Sequence, residues 1–156
     1  MIIVGDGVIG ASGALCAKAR GFRTLLLGRH DSKLAKINAL GVSTANIKTV
    51  TQDELSDFKP TAVIDTVQNP EAFEMYHRSL PATWAAESFG NSRIGTGQII
   101  YSGHTPDGIK SWADMAHLQK QELTVHFVSG WTKDRLIKTL ALMKTDQLSL
   151  EKLATE

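Results

Sequence analysis

Short apolar runs of strand length alternate along the chain with longer segments whose apolar residues recur every three or four positions. That rhythm is how a parallel sheet with crossover helices reads in sequence. The opening run, residues 1–4, predicts a first strand. Residues 9–20 then read as a helix of small and apolar residues, with Ala11, Ala14, Leu15, Ala17 and Ala19, and Gly21 just past its end as a stop. Residues 24–27 predict a second strand. Asp31 and Ser32 offer a cap for a helix carrying Leu34, Ile37 and Leu40 on one face, and Gly41 closes it. A weaker stretch follows, with a short strand expected around residues 47–50 and a short polar helix after Thr51.

Past Pro60, Ala62-Val63-Ile64 ending in Asp65 is a continuous apolar run of the kind that fills buried parallel strands. A turn at Asn69-Pro70 leads into a helix over residues 71–80 with Phe73, Met75, Tyr76 and Leu80. Residues 81–97, rich in Gly, Ser, Asn and Ala, predict a partly extended connection. Then come a fifth strand at 98–102, a short helix at 112–119, a sixth strand at 123–128 and a helix at 133–144. That last helix places Leu136, Ile137, Leu140 and Met143 on one side. With no internal repeat, low-complexity tract or linker, the pattern predicts one domain over residues 1–156. Its class is α/β: a doubly wound parallel sheet of about six strands with helices on both faces.

Composition narrows what such a domain can do. The 156 residues are 42% hydrophobic and 21% charged, and 17 Lys+Arg against 16 Asp+Glu leave a formal net charge of +1. No global field and no basic run is there to hold a polyanion, which argues against a nucleic-acid or membrane-surface role. Cys16 is the only cysteine, so an internal disulfide and any multi-cysteine zinc site are excluded, and a reducing, cytoplasmic setting is expected. The apolar runs fall far short of the roughly 20 residues that span a bilayer.

The chemistry is concentrated at the first turn. Gly5-Asp6-Gly7-Val8-Ile9-Gly10 satisfies G-x-G-x-x-G directly after an apolar strand and directly before a helix. In the dinucleotide-binding Rossmann fingerprint the first glycine lets the chain turn sharply. The second removes a side chain from the path of the pyrophosphate, and the third lets helix lie close on strand. The anion then rests on the helix N-terminus, where unpaired N–H groups and the helix dipole favour negative charge. The end of the second strand reads the adenosine ribose, normally through an Asp or Glu about 20 residues past the motif. Here that place holds Gly28, then Arg29 and His30. A missing carboxylate removes both the bond to the 2′-hydroxyl and the repulsion of a 2′-phosphate, while Arg29 can offer that phosphate a charge-assisted fork. The expectation is NADP over NAD. The competing reading leaves Arg29 in solvent and gives the ribose to Asp31.

The carboxyl ends of the remaining strands, at residues 65–68, 102–104 and 129–131, should border the same crevice. His104 and His126 are candidate acid–base groups by residue type. His126 nevertheless alternates with Val125 and Phe127 as a sheet-face residue would, and His104 sits in a Gly-His-Thr-Pro turn. Cys16 reads as a small core filler, and Trp84, Trp112 and Trp131 as packing residues.

The ordered series of motifs resembles the cofactor domain of the zinc-type medium-chain alcohol dehydrogenase superfamily, which includes sorbitol and threonine dehydrogenases. Val4-Gly5-Asp6-Gly7-Val8-Ile9-Gly10 is similar to that family's V-x-G-x-G-x-I-G. Leu27-Gly28-Arg29-His30-Asp31-Ser32-Lys33-Leu34 is similar to its strand followed by D or G, R and then K-L. Ala39-Leu40-Gly41-Val42, Val63-Ile64-Asp65-Thr66-Val67 and Gly97-Gln98-Ile99-Ile100-Tyr101-Ser102-Gly103 stand where the family has A-x-x-L-G-A, V-I-E-A-T and G-G-x-x-V-x-V-G. The segment at 148–155 is similar to the stretch where the family's chain returns to its catalytic domain. The link at 81–97 is longer than the family's.

The resemblance implies a nicotinamide dinucleotide, NADP or NAD, as cofactor. Gly5, Gly7 and Gly10 with the amides of Val8 and Ile9 would seat the pyrophosphate. Gly28, Arg29 and His30 would meet the adenosine ribose, and Val67, Gly103, Ser129 and Gly130 would line the nicotinamide side. It implies no catalytic residue and no metal ligand in this chain, because the family's zinc ligands precede the cofactor domain. Negligible turnover is therefore expected from the chain alone. It also implies a homodimer paired through the edge strand at 123–128. A dinucleotide-sensing regulatory domain without enzymatic activity is the alternative, since one fold hosts many functions.

Overall fold

The computed structural model describes residues 1–80, 97–102, 115–120, 123–130 and 132–153. The connection at 81–96, Gly103, His104, Trp84, Trp112 and Trp131 lie outside the described residues. So do the start of the helix expected at 112–119 and the last residues of the segment at 148–155. The strands are β1 (Ile2–Val4), β2 (Leu25–Gly28), β3 (Ser43–Asn46), β4 (Ala62–Asp65), β5 (Gln98–Ser102) and β6 (Thr124–Val128). They form one parallel sheet in the order 3-2-1-4-5-6, the doubly wound order in which the direction of winding reverses beside β1.

A central strand of such a sheet must be apolar on both faces. Along β1, Ile2 and Val4 enter one core with Leu25, Leu27, Val63 and Ile99, whereas Ile3 enters the other with Leu26. The first core is covered by α3 (Gln52–Asp57) and α4 (Pro70–Tyr76) through Leu55, Phe73 and Tyr76, with Leu118 of α5 (Met115–Lys120) at its margin. The second is covered by α1 (Val8–Ala19) and α2 (Asp31–Ala39) through Ala14, Leu15, Leu34 and Ile37. Leu142 and Met143 of α6 (Lys133–Lys144) pack against it, and half-buried Cys16 sits at its edge. Helices thus lie on both faces, as the pattern predicts. Among the described residues no helix is long and apolar enough to cross a membrane.

Three local expectations are corrected. The third strand is Ser43–Asn46, not 47–50. Among the described strands it pairs only with β2, so its polar side chains can face water; Ile47 and Val50 pack on the first core from the turn beyond it. Asp31 does not cap α2. His30 is the N-cap, and the Asp31 carboxylate accepts from Asn46 Nδ2 at 2.6 Å, tying α2 to β3. The helix after Asn69 becomes a 3-10 turn at His77–Ser79 rather than running to residue 80. On α6, the apolar Leu136, Ile137 and Leu140 are exposed.

The end of β4 carries the buried polar cluster of this fold. Asp65 is fully buried; its Oδ1 accepts from the amides of Val67 and Gln68 at 2.8 Å each, and its Oδ2 accepts from the Tyr76 hydroxyl at 2.9 Å. Burial pushes the Asp65 carboxyl above its ordinary range, and those three donors pull against it. The carboxylate thereby fixes the turn after β4, in which Gln68 adopts φ +55°. Removing the hydroxyl by Tyr76→Phe should cost about 1–3 kcal/mol of stability, because a buried acceptor loses a partner. Urea denaturation of the two proteins checks this.

Candidate functional site

The reversal of winding at β1 opens a crevice at the carboxyl ends of β1, β2 and β4, and the cavity there has a volume of about 640 Å³. Its floor is the glycine turn. Gly5 has φ +114°, a conformation other residues rarely adopt, and its amide donates to the Leu27 carbonyl at 2.8 Å. A Cβ at Gly5 would collide with Thr66 Oγ1 and lie 2.9 Å from Val67 Cγ2. Thr66 in turn is tied to the end of β1, its amide and hydroxyl donating to the Val4 carbonyl at 3.0 and 2.7 Å. A Cβ at Gly10 would run into the Gly5 carbonyl, so α1 lies against the strand end as closely as backbones allow. Gly7 differs: a Cβ there would meet nothing within 4 Å, and the residue lines the cavity.

Gly7 is also the N-cap of α1, and it makes no side-chain cap bond. Helices α3, α4 and α6 satisfy N-terminal amides with Thr51, Asn69 and Thr132. Among the described residues α1 has no such side-chain cap bond, and its first turn holds no acidic residue. The positive end of the longest helix at this crevice is thus turned, uncapped, toward the cavity. Val8 and Ile9 are 77% and 56% exposed there, an unusual position for apolar side chains unless another surface covers them.

At the other end of the crevice the structure revises the expectation that β2 ends without a carboxylate. Gly28 has no side chain, but Asp6 of the glycine turn reaches across to that place. Its Oδ2 accepts from the amides of Arg29 and His30 at 2.7 Å each, and His30 Nδ1 lies 3.0 Å from both carboxylate oxygens. Burial raises the Asp6 carboxyl, but the bonds from the His30 ring and the two amides outweigh it and hold the group below the usual carboxylate range. The cationic side chains bordering this end are Arg29 and Lys48. Asp31, the other candidate for reading the ribose, does not line the cavity.

Nine of the expected site residues therefore meet in one cavity: Gly5, Gly7, Val8, Ile9, Gly10, Gly28, Arg29, His30 and Val67. Ser129 and Gly130 follow β6, are exposed and stand outside this lining, and Gly103 is not among the described residues. His126 is exposed on β6. Sequence reasoning passed over Asp6, Lys48 and Thr66. Asp6 was visible only as the variable second position of the motif, and nothing local says that it contacts residues more than 20 positions away. Among the described residues no three His, Cys, Asp or Glu side chains are grouped to hold a metal ion.

This is a Rossmann-like α/β fold, and solved structures share it. The chain is similar to benzyl alcohol dehydrogenase from Acinetobacter calcoaceticus at 19% identity and a TM-score of 0.79, covering 99% of this chain and 41% of that one. It is similar to 2R,3R-butanediol dehydrogenase from Bacillus subtilis at 17% identity and a TM-score of 0.77, covering 99% and 42%. Acetophenone reductase from Geotrichum candidum, solved in complex with NAD, is 19% identical with a TM-score of 0.73, covering 95% and 38%. The chain spans about two-fifths of the length of these dehydrogenases, and at such identities the likeness establishes the fold. No protein-family model matches the sequence, and no curated protein does.

The two glycines predict opposite outcomes for the same substitution. Gly10→Ala should lower stability by about 1–3 kcal/mol or prevent folding, because helix and strand must separate. Gly7→Ala, facing open space, should leave the thermal midpoint within a few degrees of the unaltered protein's. Thermal denaturation followed by circular dichroism measures both.

Proposed function

We propose that residues 1–156 form the nicotinamide dinucleotide-binding domain of a medium-chain, zinc-type alcohol or polyol dehydrogenase. The uncapped N-terminus of α1, set by the glycine turn that lines the 640 Å³ cavity, is the observation that carries this reading. A cavity of that size suits an organic cofactor. The open side of Gly7 gives a pyrophosphate room to approach the amides of Val8 and Ile9, while Val67, Ser129 and Gly130 belong to the nicotinamide side. The nicotinamide would supply hydride transfer, and this chain would bind and orient it. The zinc that polarises substrate oxygen belongs, in this reading, to a catalytic part beyond these residues, so the chain alone should show negligible alcohol oxidation. The lone Cys16 fits a cytoplasmic setting for the same enzyme.

NADP(H) is the favoured cofactor in this reading. Arg29 and Lys48 border the adenosine end. Arg29→Ala should weaken NADPH by about 1–3 kcal/mol, the range for a charge-assisted contact, and leave NADH nearly unchanged. Calorimetric titration with both cofactors decides it; equal losses, or none, would remove the Arg29 clamp. Gly7→Ala should weaken both.

A homodimer completes the proposal. Among the described strands β6 has one neighbour, β5, and Phe127 stands 82% exposed, its ring stacked on Tyr101 at 5.3 Å. Pairing of β6 with its copy would cover that edge. Gel filtration at micromolar concentration should give a dimer, and Phe127→Glu should shift it to monomer without changing the circular dichroism spectrum.

A further inference from the structure

The adenosine end of the cleft contains an anion-binding nest that the protein fills itself. Two successive amides, of Arg29 and His30, and the His30 ring nitrogen converge on one carboxylate, that of Asp6. Convergent backbone N–H groups at a turn form a concavity suited to a small anion such as phosphate. The Asp6 side chain is only 10% exposed although it carries a charge, while His30 beside it is 54% exposed. Position 28 has been given over to this arrangement: a Cβ there would lie 2.5 Å from Asp6 Cβ and 2.6 Å from its Oδ2.

An acid at the tip of β2 ordinarily directs its oxygens outward to the ribose hydroxyls. Asp6 reaches the same place from the neighbouring turn with its oxygens directed inward. A 2′-phosphate arriving beside Arg29 would find the amides of residues 29 and 30 already engaged and a negative charge behind them. We propose that Asp6 is a specificity-determining residue: its carboxylate occupies the nest that a ribose 2′-phosphate would otherwise enter, and so keeps NADH competitive with NADPH. Arg29 and Lys48 pull the phosphate in, and Asp6 limits how much that attraction yields. This inference rests on the dinucleotide reading of the cleft.

Asp6→Asn tests the charge alone, because the carboxamide oxygen can still accept from both amides. In titrations of the 156-residue chain the variant should bind NADPH more tightly relative to NADH by about tenfold, as expected when a charge beside a phosphate is removed. If both cofactors change by the same factor, Asp6 only braces the turn and the proposal fails. Asp6→Ala with inorganic phosphate tests the nest without any dinucleotide. Amide NMR signals of Arg29 and His30 should shift saturably with phosphate in this variant and stay fixed in the unaltered chain. A folded variant that shows no phosphate response overturns the nest, even if dinucleotides bind. An unaltered chain that binds neither NADPH nor NADH overturns the cleft reading and the cofactor role of Asp6 with it, while the phosphate arm still decides whether Asp6 fills an anion nest.

Discussion

The arrangement turns on one close approach. Helix α1 lies so near the end of β1 that a single methyl group at position 10 would enter the carbonyl oxygen of Gly5. That contact draws the start of the helix down to the strand tips, and the clamp from Thr66 to Val4 brings the turn after β4 against it from the other side. The crevice is what remains above the junction. Its depth, its uncapped amides and its reach to the end of β2 all follow from backbone meeting backbone without side chains between.

Around this junction the fold supplies stiffness from both faces of the sheet. The alternation of Ile2, Ile3 and Val4 locks β1 into two cores at once, so a shift in its register would disrupt both. Asp65 does for the turn after β4 what Asp6 does for the turn after β2: each carboxylate accepts two successive amides and sets the loop beside the cavity. They differ in exposure. Asp65 is sealed in and serves the architecture, whereas Asp6 sits where an incoming ligand would feel its charge.

Much of this was legible in the sequence, and the failures have physical causes. The central strands were found because burial on both faces demands continuous apolar runs, and β5 and α6 have the boundaries the pattern predicts. The edge strand β3 was misplaced by a few residues because pairing, not side-chain burial, defines it; Ser43, Thr44 and Asn46 carry no apolar signal, and the nearby Ile47 and Val50 carry a misleading one. On α6 periodicity reports an apolar face without saying what covers it, and Leu136, Ile137 and Leu140 are exposed. The glycine turn was legible in full, since its spacing encodes its geometry. The bond from Asp6 to Arg29 and His30 was not, because it joins two turns that only the packing of β1 against β2 brings together. A carboxylate counted as missing from β2 was present in space, supplied from the first turn.

The most direct test of the central claim is a crystal structure of this chain with NADPH. The pyrophosphate oxygens should lie within hydrogen-bonding distance of the Val8 and Ile9 amides, beside Gly7, with the adenosine ribose at Gly28 and Arg29. A dinucleotide bound elsewhere, or one whose phosphates stand away from the start of α1, would contradict it.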